Sequence, residues 1–257
     1  MYFYKLILSY KGTRYSGWQN QTPNPETIQN HVETVLRAFV NFQEIKVIGA
    51  SRTDTGVHAS GQVLKIGLPK EIDPTHLVMG LNSKLPNDIR ALEAEFISEK
   101  FNVNRDCQWK EYHYYFCANK KLNAVLSEMV LDVNSDLNIE EMKKAIHLLQ
   151  GENNFLSFCT MGQRITSPNR NILECSLEMT SFAPMQTDIY FLKIKSSGFL
   201  KYMVRFIMGA LINIGKGNLS LVDFERSLST GVTYGARMKA PPHGLHLMQI
   251  NYGELSE

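Results

Sequence analysis

Residues 49–63, GASRTDTGVHASGQV, place Arg52, Asp54 and His58 close together between Gly49 and Gly61. A carboxylate, a guanidinium and an imidazole at that spacing suggest three uses for Asp54. The tripeptide Asp54-Thr55-Gly56 is also the one aspartic proteases use. Those enzymes need two carboxylates sharing one proton, because like charges a few Å apart cannot both ionise. The chain carries no second Asp-Thr-Gly, and Arg52 favours full ionisation, so the protease reading fails. A turn is the second use, since Asp followed by Gly is turn chemistry. The third is a carboxylate nucleophile kept ionised by a fixed cation, a role that suits arginine because its fork binds carboxylate and never loses its proton. Gly49, Gly56 and Gly61 are expected to let the backbone approach a ligand closely.

The elements that must position this motif follow from the rest of the chain. With 257 residues, 44% hydrophobic and 20% charged, it is an ordinary globular protein large enough for two domains. Lys and Arg total 27 against 25 Asp and Glu, a net of +2, so any nucleic-acid footprint must come from local clustering. Basic residues cluster at Lys120 with Lys121, Lys143 with Lys144, Arg164 with Arg170, and Lys193 with Lys195, each read first as a solvated face and second as a phosphate contact. Cys107, Cys117, Cys159 and Cys175 form no Cys-x-x-Cys pair, and no histidine stands at zinc-finger spacing, so no metal is expected. Free thiols in a cytoplasmic protein are the expectation. The most apolar run, Phe206–Ile214, is too short to span a membrane.

Residues 2–10 alternate as a strand, and Thr27 caps a helix whose face is Ile28, Val32, Val35, Leu36 and Phe39. Strands are expected at 44–50, 62–67 and 88–97, with a helix from Pro74. The second half gives strands at 111–118, 171–180 and 187–195, the last two split by a Pro184 turn. Its helices fall at Ile139–Leu149, Leu200–Ile214 and Leu221–Leu228, and residues 245–252 close as a strand. Each half has the element order of a split β-α-β unit. The expectation is an α+β protein of two ferredoxin-like (RRM-like) halves, residues 1–105 and 106–257, with antiparallel sheets and a cleft between them.

The motif resembles the signature of the tRNA pseudouridine synthase A (TruA) family. YKGTRYSGWQNQ (10–21), GLNSKLPNDIRAL (80–92), YHYYF (112–116), GFLKYMVRFIMGALINIGKG (198–217) and APPHGLHL (240–247) are similar to further segments of that family, in the same order. The resemblance implies a pseudouridine synthase core and isomerisation of uridine to pseudouridine in the tRNA anticodon stem–loop. It implies no cofactor and no metal, a homodimer, and tRNA in a basic cleft. By the same resemblance Asp54 is the nucleophile and Arg205 the basic residue that pairs with it. Tyr112 stacks on the flipped uracil, and Arg52 helps to extrude the nucleotide. His58 is expected to order the loop, and Asn82 and His243 to shape the cleft from outside the catalytic set. Gly209, one turn beyond Arg205, is expected to leave room for the motif loop. Two stretches depart from the family: Asn104 stands where arginine is common, and Ala236-Arg237-Met238-Lys239 replaces Ala-Gly-x-Thr. A non-catalytic RNA-binding protein of the same fold is the alternative.

Overall fold

The computed structural model describes residues 1–21, 23, 26–160, 166–182 and 187–253. Arg164 and the Pro184 turn lie outside the described residues. The chain forms two compact units, Met1–Gln108 together with the residues from Leu247 on, and Trp109–His246.

In the first unit β1 (Tyr2–Tyr10) is followed by α1 (Ile28–Phe39), β2 (Lys46–Gly49), β3 (His58–Leu68), α2 (Pro74–Lys84) and β4 (Ile89–Phe96). The strands pair antiparallel in the order β4-β1-β3-β2. Tyr4, Leu6 and Leu8 of β1 are fully buried, as are Val32 and Leu36 of α1, each contributing about 1.5–3 kcal/mol. The Thr27 hydroxyl accepts from the Asn30 N–H at 3.3 Å and so starts α1. Asp73 accepts from the Thr75 and His76 N–H groups ahead of Pro74, the arrangement that starts α2.

The second unit contains β5 (Trp109–Cys117), β6 (Leu131–Asp132), α3 (Ile139–Leu149), β7 (Gly151–Asn154), β8 (Asn169–Phe182), β9 (Thr187–Ser196), α4 (Met203–Gly215) and α5 (Leu221–Thr230). Its main sheet runs β5-β9-β8-β7 with antiparallel pairing, while β6 adds a short parallel pair to β5. That pair departs from the all-antiparallel expectation. The apolar run 206–214 is the body of α4, which is buried on nearly every side. A helix apolar all round belongs in a core. Among the described residues no helix is long and apolar enough to cross a membrane.

The closing strand β10 (Leu245–Asn251) neighbours β3, and from Leu247 it belongs to the first unit. The sequence reading assigns the whole strand to the second half. Met248 explains why β3 accepts it: a side chain at Gly61 would stand 2.5 Å from the Met248 carbonyl oxygen. Two other boundaries differ from expectation. β3 begins at His58 rather than 62, which places His58 and Gly61 within the strand. α4 begins at Met203 rather than Leu200, because Tyr202 takes a left-handed conformation, φ 64°.

Candidate active site

Asp54 lies in the connection from β2 to β3, half-buried, between exposed Arg52 and exposed Thr55. The backbone on both sides is held at many points. Ala50 N–H donates to the Val63 carbonyl at 2.8 Å, and Trp18 N–H donates to the Thr53 carbonyl at 3.1 Å. Gln62, fully buried, accepts from Ser51 N–H at 3.1 Å and donates to the Ser51 carbonyl at 2.6 Å. The Tyr10 and Thr53 hydroxyls share a hydrogen bond of 2.7 Å. Val57 N–H closes a turn onto the Asp54 carbonyl at 3.1 Å, with Gly56 at φ 79°. Positive φ at the third position is what a type II turn requires, and glycine adopts it without strain. The turn is therefore made by the Asp54 backbone, and the loop carries the carboxylate from a fixed frame.

His58 serves that frame. Its Nδ1 accepts from the Gly12 N–H at 3.1 Å, so the ring proton sits on Nε2, and the side chain is 3% exposed. This agrees with a loop-ordering role. Gly49 and Gly61 do not serve a ligand as expected: the space at Gly49 is filled by the Trp18 indole and that at Gly61 by the Met248 backbone. Beside the motif, Asp88 accepts from Tyr15 OH at 2.5 Å and from Arg14 at 2.6 Å. Burial acts to raise the Asp88 pKa, but these two donors outweigh it and hold the carboxyl below its usual range. Asn82 spends both ends of its amide on Ala91 of β4, at 2.8 and 2.9 Å, which ties α2 to the sheet.

Gln62 and Tyr10 were not singled out from the sequence. The available signal was a polar side chain at Gln62 in the buried series that continues through Leu64, Ile66 and Leu68. Gln62→Ala would leave both Ser51 groups without their amide partner, each such buried group costing about 1–3 kcal/mol. We expect a loss of at least about 2 kcal/mol in urea unfolding. An unchanged midpoint would mean that water replaces the amide.

In the second unit, the β5 residues Tyr112, Tyr114 and Phe116 face the core. Tyr112 is 8% exposed and meets Phe199 edge to face, centroids 5.2 Å apart at 86°. Tyr114 donates to the Pro241 carbonyl at 2.7 Å. Burial pushes its phenol pKa up, and the nearby Arg205 charge opposes that shift. Arg205 is 7% exposed on α4, and its Nε donates to the Ala240 carbonyl at 2.9 Å. Ala240 N–H returns a bond to the Arg205 carbonyl at 3.0 Å. The guanidinium lies 5.1 Å from the Tyr202 ring centre. A buried cation is costly unless paired and hydrogen-bonded, and the Ala240 carbonyl supplies one such bond. The space at Gly209 is taken by the Met238 carbonyl, not by the motif loop as expected. His243 is half-buried, and burial lowers its pKa. Among the described residues no group of three His, Cys, Asp or Glu is placed to hold a metal ion.

Fold and side chains define an α+β protein with a pinned aspartate loop in one unit and a buried arginine helix in the other. The tRNA pseudouridine synthase family matches residues 6–104 and 145–253, and the chain belongs to that family. Similar to it is tRNA pseudouridine synthase A 2 of Desulfotalea psychrophila, 36% identical over 97% of this chain and 98% of its own. The tRNA pseudouridine synthase A of Phytoplasma mali is 37% identical over 97% and 98%. That of Methylacidiphilum infernorum is 33% identical over 97% and 95%.

Proposed function

We propose that this chain isomerises uridine to pseudouridine in tRNA, within the anticodon stem–loop. The observation that carries the reading is the match to relatives named tRNA pseudouridine synthase A along almost the whole chain. In the reaction the C1′–N1 bond breaks, the uracil turns, and a C1′–C5 bond forms. The C5 proton passes to solvent and N1 takes one up, so no oxidant or reductant is consumed. Asp54 acts as the nucleophile, supported by its half-buried carboxylate on a frame fixed by Gln62, Tyr10 and Trp18. Arg205 supplies the fixed positive charge that keeps such a carboxylate ionised, supported by its own burial. Tyr112, braced by Phe199, is the aromatic wall for the extruded uracil. Exposed Arg52 enters the space the nucleotide leaves.

The two halves are of the ferredoxin-like kind, supported by the β4-β1-β3-β2 order of the first unit. The working form is a homodimer, which light scattering would read as two chains per particle. The activity is tested with tRNA carrying tritium at uridine C5. Stoichiometric release of tritium to solvent is expected, and tRNA binding without release would leave only the RNA-binding alternative.

A further inference from the structure

α4 opens in an unusual way. Tyr202, its N-cap, sits at φ 64°, and its side chain makes no capping hydrogen bond. For a bulky residue this conformation is an outlier that persists only when the surroundings impose it. Three cations gather around the Tyr202 ring: Lys239 Nζ at 4.2 Å, Arg205 Cζ at 5.1 Å and Lys201 Nζ at 5.2 Å. One turn further along the same helix, the Arg237 guanidinium lies over Phe206 at 4.2 Å.

Arg237 and Lys239 come from the segment Ala236–Ala240, which is fastened along α4. Asn213 Nδ2 donates to the Ala236 carbonyl at 3.1 Å, and Ala240 and Arg205 exchange two bonds at the other end. The two exposed cations are therefore set on a fixed track beside two aromatic rings. Cation–π contact offsets only part of the repulsion between them. The surrounding sequence supplies no acidic partner: residues 189–222 and 226–253 contain no Asp or Glu. Among the described residues Lys201, Arg237 and Lys239 enter no ion pair. By contrast, Lys143 and Lys144 on α3 pair with Glu140 and Glu141, and Lys193 and Lys195 pair with Glu174.

We propose that Lys201, Lys239 and Arg237, held on Tyr202 and Phe206, form a phosphate-binding track for the RNA backbone, separate from the groups that act on the uridine. The inference rests on tRNA as the substrate but not on any role for Asp54. Unpaired cations on a rigid strip next to aromatic faces suit a polynucleotide backbone, which offers regularly spaced single charges and bases that can stack.

The test is tRNA affinity across a salt series for wild type, Lys201→Ala/Lys239→Ala and, as control, Lys143→Ala/Lys144→Ala. Each lost phosphate contact lowers the slope of log affinity against log salt by ~0.7–0.9. The track variant should therefore lose about ten-fold less affinity than wild type between about 50 and 200 mM salt. The control should follow wild type. Lys201→Arg/Lys239→Arg should restore the slope, and kcat at saturating tRNA should stay within about two-fold while KM rises. Inorganic phosphate at millimolar level should compete weakly and equally in wild type and control, which separates backbone binding from capture of the free ion. A track variant with the wild-type slope overturns the proposal. So does one whose kcat falls while KM holds, because that places the lysines in the chemistry. Wild type that binds tRNA with a steep slope but releases no tritium would sink the isomerase reading and leave the track standing.

Discussion

Asp54→Ala should abolish tritium release from C5-labelled tRNA, lowering the single-turnover rate by on the order of a thousand-fold or more, while the affinity for tRNA changes by less than about five-fold. With Asp54 as the proposed nucleophile, its loss would remove the step itself and leave nothing in the site to compensate. Asp54→Asn should be equally inactive. It keeps the shape of the side chain and the turn, because the bond from Val57 N–H is accepted by the Asp54 backbone carbonyl. The pair of variants separates two roles. If Asp54 served only the turn, asparagine would retain most activity and alanine would mainly lower stability. Activity of the asparagine variant within about ten-fold of wild type would remove the nucleophile assignment.

Arg205→Leu should lower the single-turnover rate by about a hundred-fold or more and shift tRNA affinity by only a few-fold. The side chain is almost wholly buried, so leucine fills the apolar surroundings on α4. One structural loss is the bond from Nε to the Ala240 carbonyl, about 1–3 kcal/mol of stability. Replacing a buried ion by an apolar side chain offsets part of that loss. Arg205→Lys should not rescue the rate, since an ammonium lacks the planar fork that bonds Ala240 while presenting charge elsewhere. Should Arg205→Leu instead weaken binding in step with the rate, Arg205 would belong with the phosphate track and not with the chemistry.

The contrast between Arg205 and its neighbours shows where sequence reading stops. On pattern alone an arginine in Met203-Val204-Arg205-Phe206 is as well placed on a surface as in a core. Its burial depends on the segment Ala236–Ala240 folding back onto α4, some 35 residues later. Tyr114 and Tyr112 look alike in the strand, yet one is tied to Pro241 and the other to Phe199. Gly49, Gly61 and Gly209 read as openings for a ligand or loop. Each instead admits a group distant in sequence: the Trp18 ring, the Met248 carbonyl and the Met238 carbonyl.

Local order was legible because its causes are local. Alternation in Tyr2–Tyr10, the 3.6-residue period from Ile28, the cap at Thr27 and the helix start at Pro74 act within a few residues, and the elements they define are where the pattern puts them. Residue types alone raise Asp54 as a candidate for either a turn or a nucleophile. Tertiary structure decided the frame that fixes its loop, the conformation of Tyr202 and the return of β10 from Leu247 to the first unit. Those outcomes rest on hydrogen bonds and close packing between residues from 11 to more than a hundred positions apart, as in Ser51 with Gln62 and Gly61 with Met248. Such contacts leave no period along the chain, so only the folded molecule reveals them.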